Sequence, residues 1–243
     1  MLSLPTVLPA TLVVLATAVL ALSTLEHDDV YRVRKSRADP EALMAARNDA
    51  WAEAVQIDWG TEPWPTSFRA VSAPDALWLR FDAVDSSPWY TYTNRDDRLW
   101  EEEVVEIFID PDGDHRNYVE VEVNPANALC DLLVEQGDPN LRALIEWDFS
   151  GIDSAVRPIL DEAGTATGWS AVVRLPWTGF HSLPNTEVTV PPAPGDQWLF
   201  NVFRIKRPDG PAEPSRRVIL DAWSPVPGQS FHVPEVFRAM EFE

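Results

Sequence analysis

The side chains best suited to chemistry lie in two neighbouring stretches, residues 104–110 and 118–124, in which apolar and polar residues alternate. This period of two predicts β-strands, each with its polar residues on one face. If the two strands pair as a hairpin, Glu106, Glu120 and Glu122 converge on a single sheet surface. Carboxylates grouped in this way repel one another unless a ligand, a cation or arginine side chains balance their charge.

This polar surface has three interpretations. Carboxylates accept hydrogen bonds from sugar hydroxyls, so the glutamates and Tyr118 could form the floor of a carbohydrate site, with Trp100 as a stacking wall. Two carboxylates about 5–5.5 Å apart could instead catalyse glycoside hydrolysis, with Glu106 acting together with Glu120 or Glu122. The third interpretation is a solvent-exposed outer face, which is where polar residues of an antiparallel strand usually lie.

The loop between the two strands places Asp110, Asp112 and Asp114 at alternate positions around Gly113, which permits a sharp turn. This spacing is similar to the first half of a calcium-binding loop, because a hard cation takes several oxygens from one short segment. The glutamate that closes an EF-hand loop is missing, since Val121 stands at its position. The loop therefore predicts either a calcium ion bound outside the EF-hand pattern or an ordinary aspartate- and glycine-rich turn.

The composition excludes several other functions. The chain of 243 residues has 39 acidic and 19 basic side chains and a net charge of −20, whereas nucleic-acid binding needs a basic surface. Its single cysteine, Cys130, cannot form an intramolecular disulfide, and no CxxC, HxxH or HExxH motif offers a zinc or iron–sulfur site. Hydrophobic residues make up 45% of the chain, as in globular domains, and the 11 tryptophans could fill a core or stack on a ligand.

Residues 1–25 carry no charged side chain, and residues 7–25 form a nearly continuous apolar run. Such a segment is typical of a signal peptide or a membrane anchor, with Ala21 and Ser23 as the small residues of a cleavage site. It predicts an extracytoplasmic protein, either secreted or attached to the cell envelope. The alternative is a cytoplasmic protein in which this segment is an apolar helix packed on the domain.

The rest of the chain, residues 26–243, is predicted to form one all-β domain. From Ala76 onward apolar and polar residues alternate, as in the run with Leu77, Leu79 and Phe81. Strands are predicted at residues 76–82, 104–110, 118–124, 129–134, 155–160, 169–175, 198–205 and 218–222. Many short strands, 22 prolines and 10 glycines, and no long helical period after Ala54 predict a β-sandwich.

Two further local predictions concern the first part of the chain and the tryptophans. Before Pro74 the pattern is irregular, with a short edge strand predicted at residues 30–34 and a short helix at residues 40–54. Trp78, Trp169 and Trp198 fall inside strands, and we therefore predict that they lie in the core.

Several segments resemble, in the same order, motifs of the family 9 carbohydrate-binding modules and their DOMON-like relatives. The central motif reads LWEEEVVEIFIDP at residues 99–111 and is followed by residues 118–125. The later motifs are GWSAVVRLPW at 168–177, GDQWLFNVFR at 195–204, AWSP at 222–225 and FHVPE at 231–235. The resemblance extends from about Tyr31 to the C-terminus.

The resemblance implies an immunoglobulin-like, jelly-roll β-sandwich that binds sugar without catalysis between two tryptophans, with calcium as a structural ion. Carried over to this chain, it names Trp100 and Trp223 as the stacking pair and Glu106, Asn201 and Arg204 as polar contacts. The residue pattern adds Tyr118 and Glu120, from the hairpin face, and Trp89, which follows a loop proline beside alternating aromatic residues. The partner would be an oligo- or polysaccharide of xylan or glucan type, whose breakdown or uptake the protein would support.

The chain departs from this pattern at residues 118–124, which offer glutamates and no arginine for sugar contacts. Three other functions stay open. They are glycoside hydrolysis, a structural or interaction role at the cell surface, and haem-binding electron transfer, which some DOMON domains perform with methionine and histidine ligands. The methionines and histidines of this chain lie outside the predicted strands, which disfavours haem.

Overall fold

The computed structural model of the protein describes residues 30–136, 140–184, 186–210 and 216–243. The apolar segment at residues 1–25, predicted as a signal peptide or anchor, lies outside the described residues. Within the described ranges, no helix has the length and apolar character needed to cross a membrane.

Strands dominate the described residues, which contain one short α-helix and three 3₁₀ helices. The strands are β1 Val30–Lys35, β2 Gln56–Trp59, β3 Thr66–Ser72, β4 Ala76–Val84, β5 Val104–Asp110, β6 Asn117–Val123, β7 Leu129–Gln136, β8 Leu141–Leu144, β9 Asp153–Leu160, β10 Ala166–Pro176, β11 Gln197–Lys206, β12 Ile219–Ala222 and β13 Arg238–Phe242. The α-helix α1 is Pro40–Met44, and the 3₁₀ helices are Leu99–Glu101, Trp177–Ser182 and Pro234–Val236.

The strands form two layers that share β1. In the first sheet the order is β8-β7-β6-β5-β11-β13-β1, with β12 paired to β11, and in the second it is β1-β3-β4-β10-β9, with β2 paired to β3. The first residues of β1 pair in parallel with β13, and its last residues, Arg34 and Lys35, pair in parallel with β3. The predicted all-β sandwich is confirmed.

The main core lies between the inner faces of the two sheets. Phe68 of the second sheet packs against Phe81 at 5.1 Å and against Phe200 of the first sheet at 5.9 Å between ring centroids. Trp169 and Trp198 lie in this core, as predicted from their positions within strands. Trp78, also buried, belongs with Trp51 and Leu43 to a separate apolar cluster beside α1.

The structure differs from the local predictions in the first part of the chain. The strand predicted as an edge, β1, is paired on both sides and connects the two sheets. The helix predicted at residues 40–54 ends at Met44, and Ala46 adopts a φ of 53°, which interrupts the helix. Strands β2, β3, β8 and β13 were not predicted, because they are short or carry small and polar residues that weaken the alternation.

A second apolar cluster covers the outer face of the first sheet. It joins residues of β5, β6, β7 and β11 to Leu99 of a 3₁₀ helix and to Phe231 and Phe237 of the segment between β12 and β13. Because the outer face of the first sheet is this apolar, other segments must shield it from water. The candidate site lies at the edge of the segments that do so, the 3₁₀ helix at Leu99 and the segment between β12 and β13.

Candidate functional site

The β5–β6 hairpin brings the three predicted glutamates together. Glu106 lies directly opposite Glu122, and Phe108 lies opposite Glu120, so all four side chains project from one face. The convergence that the alternating pattern predicted is therefore present. The solvated surface considered as an alternative is not, because Glu106 is only 2% exposed, Glu120 5% and Glu122 0%.

The three carboxyl groups lack the partners that buried acids ordinarily have. Oε1 of Glu106, Oε2 of Glu120 and both oxygens of Glu122 have no hydrogen-bond partner among the described residues. One oxygen from each carboxyl group lies within 4.8 Å of those of the other two. Burying an unpaired carboxylate costs several kcal/mol, on the order of 2–7 for a neutral polar group and more for a charge.

Burial is the main influence on the acid–base behaviour of this cluster. It raises the pKa of Glu106 and Glu122 well above the usual value, and the neighbouring glutamate charges raise both further. Burial likewise raises the pKa of Glu120. It lowers the pKa of His232, whose Nδ1 lies 3.9 Å from Oε2 of Glu120.

A cavity of about 320 Å³ opens onto two of the three glutamates. It is lined by Trp100, Glu106, Phe108, Glu120, Leu132, Ala143, Ile205, Gln229, Ser230, Phe231 and His232. The half-buried indole of Trp100 forms one part of its wall, and residues 229–232 form another. The cavity therefore combines aromatic rings with buried carboxyl groups.

Hydrogen bonds connect the segment that follows Trp100 to the loop at residues 91–92 and to the end of β6. The carboxylate of Glu102, two residues further on, accepts hydrogen bonds from the backbone N–H groups of Thr91, at 2.6 Å, and Tyr92, at 3.0 Å. Asn124, just after β6, donates its side-chain N–H to the carbonyl oxygen of Tyr92 at 2.9 Å. The tryptophan is thereby connected to the hairpin that carries the glutamates.

Tyr118 supports the cavity from beneath and does not line it. Its ring stacks on Phe108 with centroids 5.5 Å apart and planes at 24°, and its side chain is fully buried. Its hydroxyl lies 2.9 Å from Nδ1 of His232. Tyr118 therefore positions His232, which does line the cavity.

Trp223 does not lie opposite Trp100. Its indole, 6% exposed, belongs to the core between the sheets, where it packs against Phe200 at 5.1 Å, and the guanidinium of Arg238 lies 4.7 Å from its ring. It borders a different cavity, of about 580 Å³, together with residues of β1 and β2. The predicted stacking pair is therefore separated, because the backbone after β12 directs Trp223 inward.

Two of the predicted polar contacts are also absent from the cavity. Asn201 is fully buried and exchanges hydrogen bonds with the backbone of Ser224: its Nδ2 donates to the carbonyl oxygen, and its Oδ1 accepts from the N–H. Arg204 projects to the opposite face of β11 from Ile205, which lines the cavity. There it pairs with Asp85 at 3.0 Å. Both side chains have partners inside the protein, and their contact with a sugar stays a prediction.

Trp89, the remaining tryptophan candidate, also lies away from this cavity. Its indole sits beside Gly210, in the segment that follows β11. Of the eight candidate ligand-binding residues, the structure places Trp100, Glu106 and Glu120 in one cavity and Tyr118 directly beneath it.

The aspartate loop forms a separate cluster. One oxygen from each of Asp110, Asp112 and Asp114 lies within 4.8 Å of the others, which suits a hard cation. Each carboxylate also accepts a hydrogen bond from a backbone N–H group of its own loop, for example Asp110 from Gly113 at 2.9 Å. The donor set fits calcium, and calcium binding here stays a prediction.

The sequence interpretation missed the wall formed by Gln229, Ser230, Phe231 and His232. Its FHVPE motif, at residues 231–235, was recognised as a family-like segment, but no ligand role was assigned to it. Nothing in the local pattern shows that this segment crosses the β5–β6 hairpin, because the two lie more than a hundred residues apart in the chain.

Comparison with known proteins decides the family. The sequence profile of carbohydrate-binding family 9 matches residues 38–190, more than half of the chain. The chain belongs to carbohydrate-binding family 9. The matched part includes Trp100 and all three glutamates, whereas residues 229–232 lie beyond it. Among curated proteins, none matches this sequence.

Solved structures show the same fold. A candidate carbohydrate-binding protein from Bacteroides uniformis superposes with a TM-score of 0.66 at 19% identity, over 88% of this chain and 99% of that one. A family 9 module from Caldicellulosiruptor kristjanssonii in complex with cellotriose gives 0.60 at 15% identity, over 88% and 93%. Its complex with glucose gives 0.57 at 17% identity, over 87% and 95%.

Proposed function

We propose that this family 9 protein binds the glucose-type units of an oligo- or polysaccharide in the cavity beside Trp100. The observation that carries the proposal is the combination, in one open cavity, of a half-buried indole with the carboxyl groups of Glu106 and Glu120. Cellotriose and glucose, the ligands of the Caldicellulosiruptor module with the same fold, support this ligand class.

The chemistry of the cavity suits a sugar. The C–H faces of a pyranose ring pack on an indole, and such a stacked pair contributes about 0.5–1.5 kcal/mol beyond buried area. Carboxyl groups can accept and donate hydrogen bonds with the hydroxyls around the ring. At about 320 Å³ the cavity is at the lower end of small-molecule sites, so it suits a short stretch of a sugar chain.

Replacing Trp100 with alanine tests this proposal. Loss of the stacking surface should weaken the binding of cellotriose by about tenfold or more, which corresponds to about 1.4 kcal/mol. The midpoint of thermal unfolding should change little, because Trp100 is half-buried at the edge of the outer cluster. Isothermal titration calorimetry with cellotriose and xylotriose measures the affinities.

Trp89→Ala is the matched control, since Trp89 is also half-buried and lies outside the cavity. It should bind the same sugars with unchanged affinity. Equal affinities in wild type and Trp100→Ala would contradict the assignment of this cavity. Loss of binding in Trp89→Ala alone would instead place the site beside Gly210.

Glycoside hydrolysis is the second candidate, because burial raises the pKa of the glutamates as a general acid requires. One carboxyl oxygen of each glutamate lies within 4.8 Å of the others, so the groups approach at least as closely as the separation of about 5–5.5 Å that retaining glycosidases use. Release of nitrophenol from aryl glucosides and aryl xylosides, lost in Glu106→Gln, would establish this activity. Sugar binding without hydrolysis would exclude this activity and support non-catalytic binding.

The wider role is part of the same proposal. We propose that the protein supports the breakdown or uptake of glucan- or xylan-type polysaccharides outside the cytoplasm, and that Asp110, Asp112 and Asp114 bind a structural calcium ion. The apolar segment at residues 1–25 supports export, and the spacing of the aspartates supports calcium. Immunodetection in cell fractions and calcium titration of the purified protein test the two points separately.

A further inference from the structure

The three glutamates have the geometry of a cation site. Two oxygens that bind one Ca²⁺ at about 2.3–2.6 Å are at most about 5 Å apart. One oxygen from each of Glu106, Glu120 and Glu122 meets this limit, since all three lie within 4.8 Å of one another. Three carboxylates from two paired strands therefore surround one point.

The cluster also lacks any other group that would balance its charge. Four of its six carboxyl oxygens have no hydrogen-bond partner among the described residues, although each of the three residues is at most 5% exposed. The ionisable neighbours of the cluster are His232, Cys130 and Tyr118. Burial lowers the pKa of His232, which favours the uncharged ring, and raises the pKa of the Cys130 thiol and the Tyr118 hydroxyl, so none of the three supplies a positive charge. Arginine or lysine, the usual partners of buried carboxylates, form no ion pair with the cluster within the described ranges.

The aspartate loop differs in this respect. Asp110, Asp112 and Asp114 each accept hydrogen bonds from backbone N–H groups, so the turn itself explains their positions. For the glutamates, the backbone N–H of Trp100 lowers the pKa of Glu122 and the carboxyl groups of Glu120 and Glu122 face each other, but within the described residues no arginine or lysine side chain is paired with them. A bound cation would supply the missing partner for all of them.

The cavity gives such a cation a route to solvent and to the sugar. Glu106 and Glu120 line the cavity, whereas Glu122 lies behind them. A cation held there would have its remaining coordination positions directed to the open side, next to Trp100. Ca²⁺ takes six to eight oxygen ligands, so about three positions or more remain for water or for sugar hydroxyls.

We propose that Glu106, Glu120 and Glu122 bind one calcium-type divalent cation, and that this cation coordinates two neighbouring hydroxyls of the sugar stacked on Trp100. The proposal rests on the function proposed above and adds a cation dependence to it. An all-oxygen donor set selects a hard cation such as Ca²⁺ over zinc or copper, which prefer nitrogen and sulfur ligands.

Terbium luminescence tests the cation site without any sugar. Tb³⁺ replaces Ca²⁺, and tryptophan excitation reaches it from Trp100 in the same cavity. The double variant Asp112→Asn, Asp114→Asn serves as background, so that the aspartate loop contributes no signal. In this background we expect one Tb³⁺ site that Ca²⁺ displaces, and we expect Glu122→Gln to weaken Tb³⁺ binding by at least about tenfold.

Glu135→Gln is the matched control, because Glu135 lies on the neighbouring strand β7 and pairs with Arg142 at the surface. It should leave the Tb³⁺ affinity unchanged. Thermal unfolding checks the fold: Ca²⁺ should raise the midpoint of the background protein and should not raise that of Glu122→Gln. Equal Tb³⁺ affinity with and without Glu122→Gln, or no Tb³⁺ binding at millimolar concentration, would overturn the cation site.

Calorimetry with cellotriose then separates the two proposals. We expect EDTA to weaken sugar binding at least about tenfold, and added Ca²⁺ to restore it in wild type but not in Glu122→Gln. Sugar binding that is equal in EDTA and in Ca²⁺ would overturn the cation contact while leaving the carbohydrate site in place. Absence of sugar binding on a glycan panel, with Tb³⁺ still bound, would overturn the proposed function and the sugar contact together.

Discussion

Trp223→Ala is expected to lower the free energy of unfolding by about 3–5 kcal/mol, the range for removing a large aromatic side chain from a core. The indole is 6% exposed, packs against Phe200, and lies under the guanidinium of Arg238. Its removal leaves a cavity between the sheets that the neighbouring strands cannot fill. Urea denaturation followed by circular dichroism measures the loss.

The same variant also tests the role of Trp223 in binding. In protein that remains folded, the affinity for cellotriose should stay within about twofold of wild type, because Trp223 borders a different cavity from Trp100. Trp100→Ala is the reciprocal control, with weaker binding and an almost unchanged unfolding midpoint. A Trp223→Ala protein of normal stability that no longer binds sugar would restore the stacking pair that the family resemblance predicted.

Arg204→Met is the second substitution with a large expected effect. Arg204 is 1% exposed and belongs to a buried network in which its guanidinium pairs with Asp85 at 3.0 Å and donates a hydrogen bond to Thr66. Lys206 also contacts Asp85, at 2.8 Å, and Glu103, at 2.6 Å. Removing one member of a buried ion pair costs about 3–5 kcal/mol, and we expect about 3 because Lys206 still faces Asp85.

Arg142→Met provides the comparison for this variant. Arg142 pairs with Glu135 on the surface at 2.9 Å, with side-chain exposures of 66% and 29%, and such exposed pairs contribute about 0–1 kcal/mol. Chemical denaturation of both variants, together with cellotriose titration, distinguishes a structural Arg204 from a ligand contact. A stable Arg204→Met protein that has lost sugar affinity would show that Arg204 reaches the ligand.

Partners inside the protein also account for two residues of the family-like motif at residues 195–204. The motif at residues 195–204 was predicted to supply Asn201 and Arg204 to the sugar, but both side chains have partners inside the protein. The side chain of Asn201 forms hydrogen bonds with the backbone of Ser224. The segment that begins there continues to Phe231 and His232, which line the cavity. The motif therefore anchors, through Asn201 and Ser224, the segment that leads to the wall of the cavity beside Trp100.

Local sequence determined strands β5 and β6 and the side of each on which the glutamates lie. Strand β5 has the predicted bounds, residues 104–110, and β6 differs by one residue at each end from residues 118–124. A period of two is a local property, so Glu106, Glu120 and Glu122 had to share a face once the hairpin formed. The loop between β5 and β6 is short, which favours pairing of the two strands as a hairpin.

Tertiary structure alone decided what covers that face and which tryptophan reaches it. Alternation shows which residues lie together, but it does not show whether their face meets solvent, the opposite sheet or a distant segment. Here residues 229–232, from the far end of the chain, close over the hairpin and make the glutamates a buried cluster beside Trp100. Trp223 lies in a motif that resembles the family, yet long-range packing against Phe200 places it in the core.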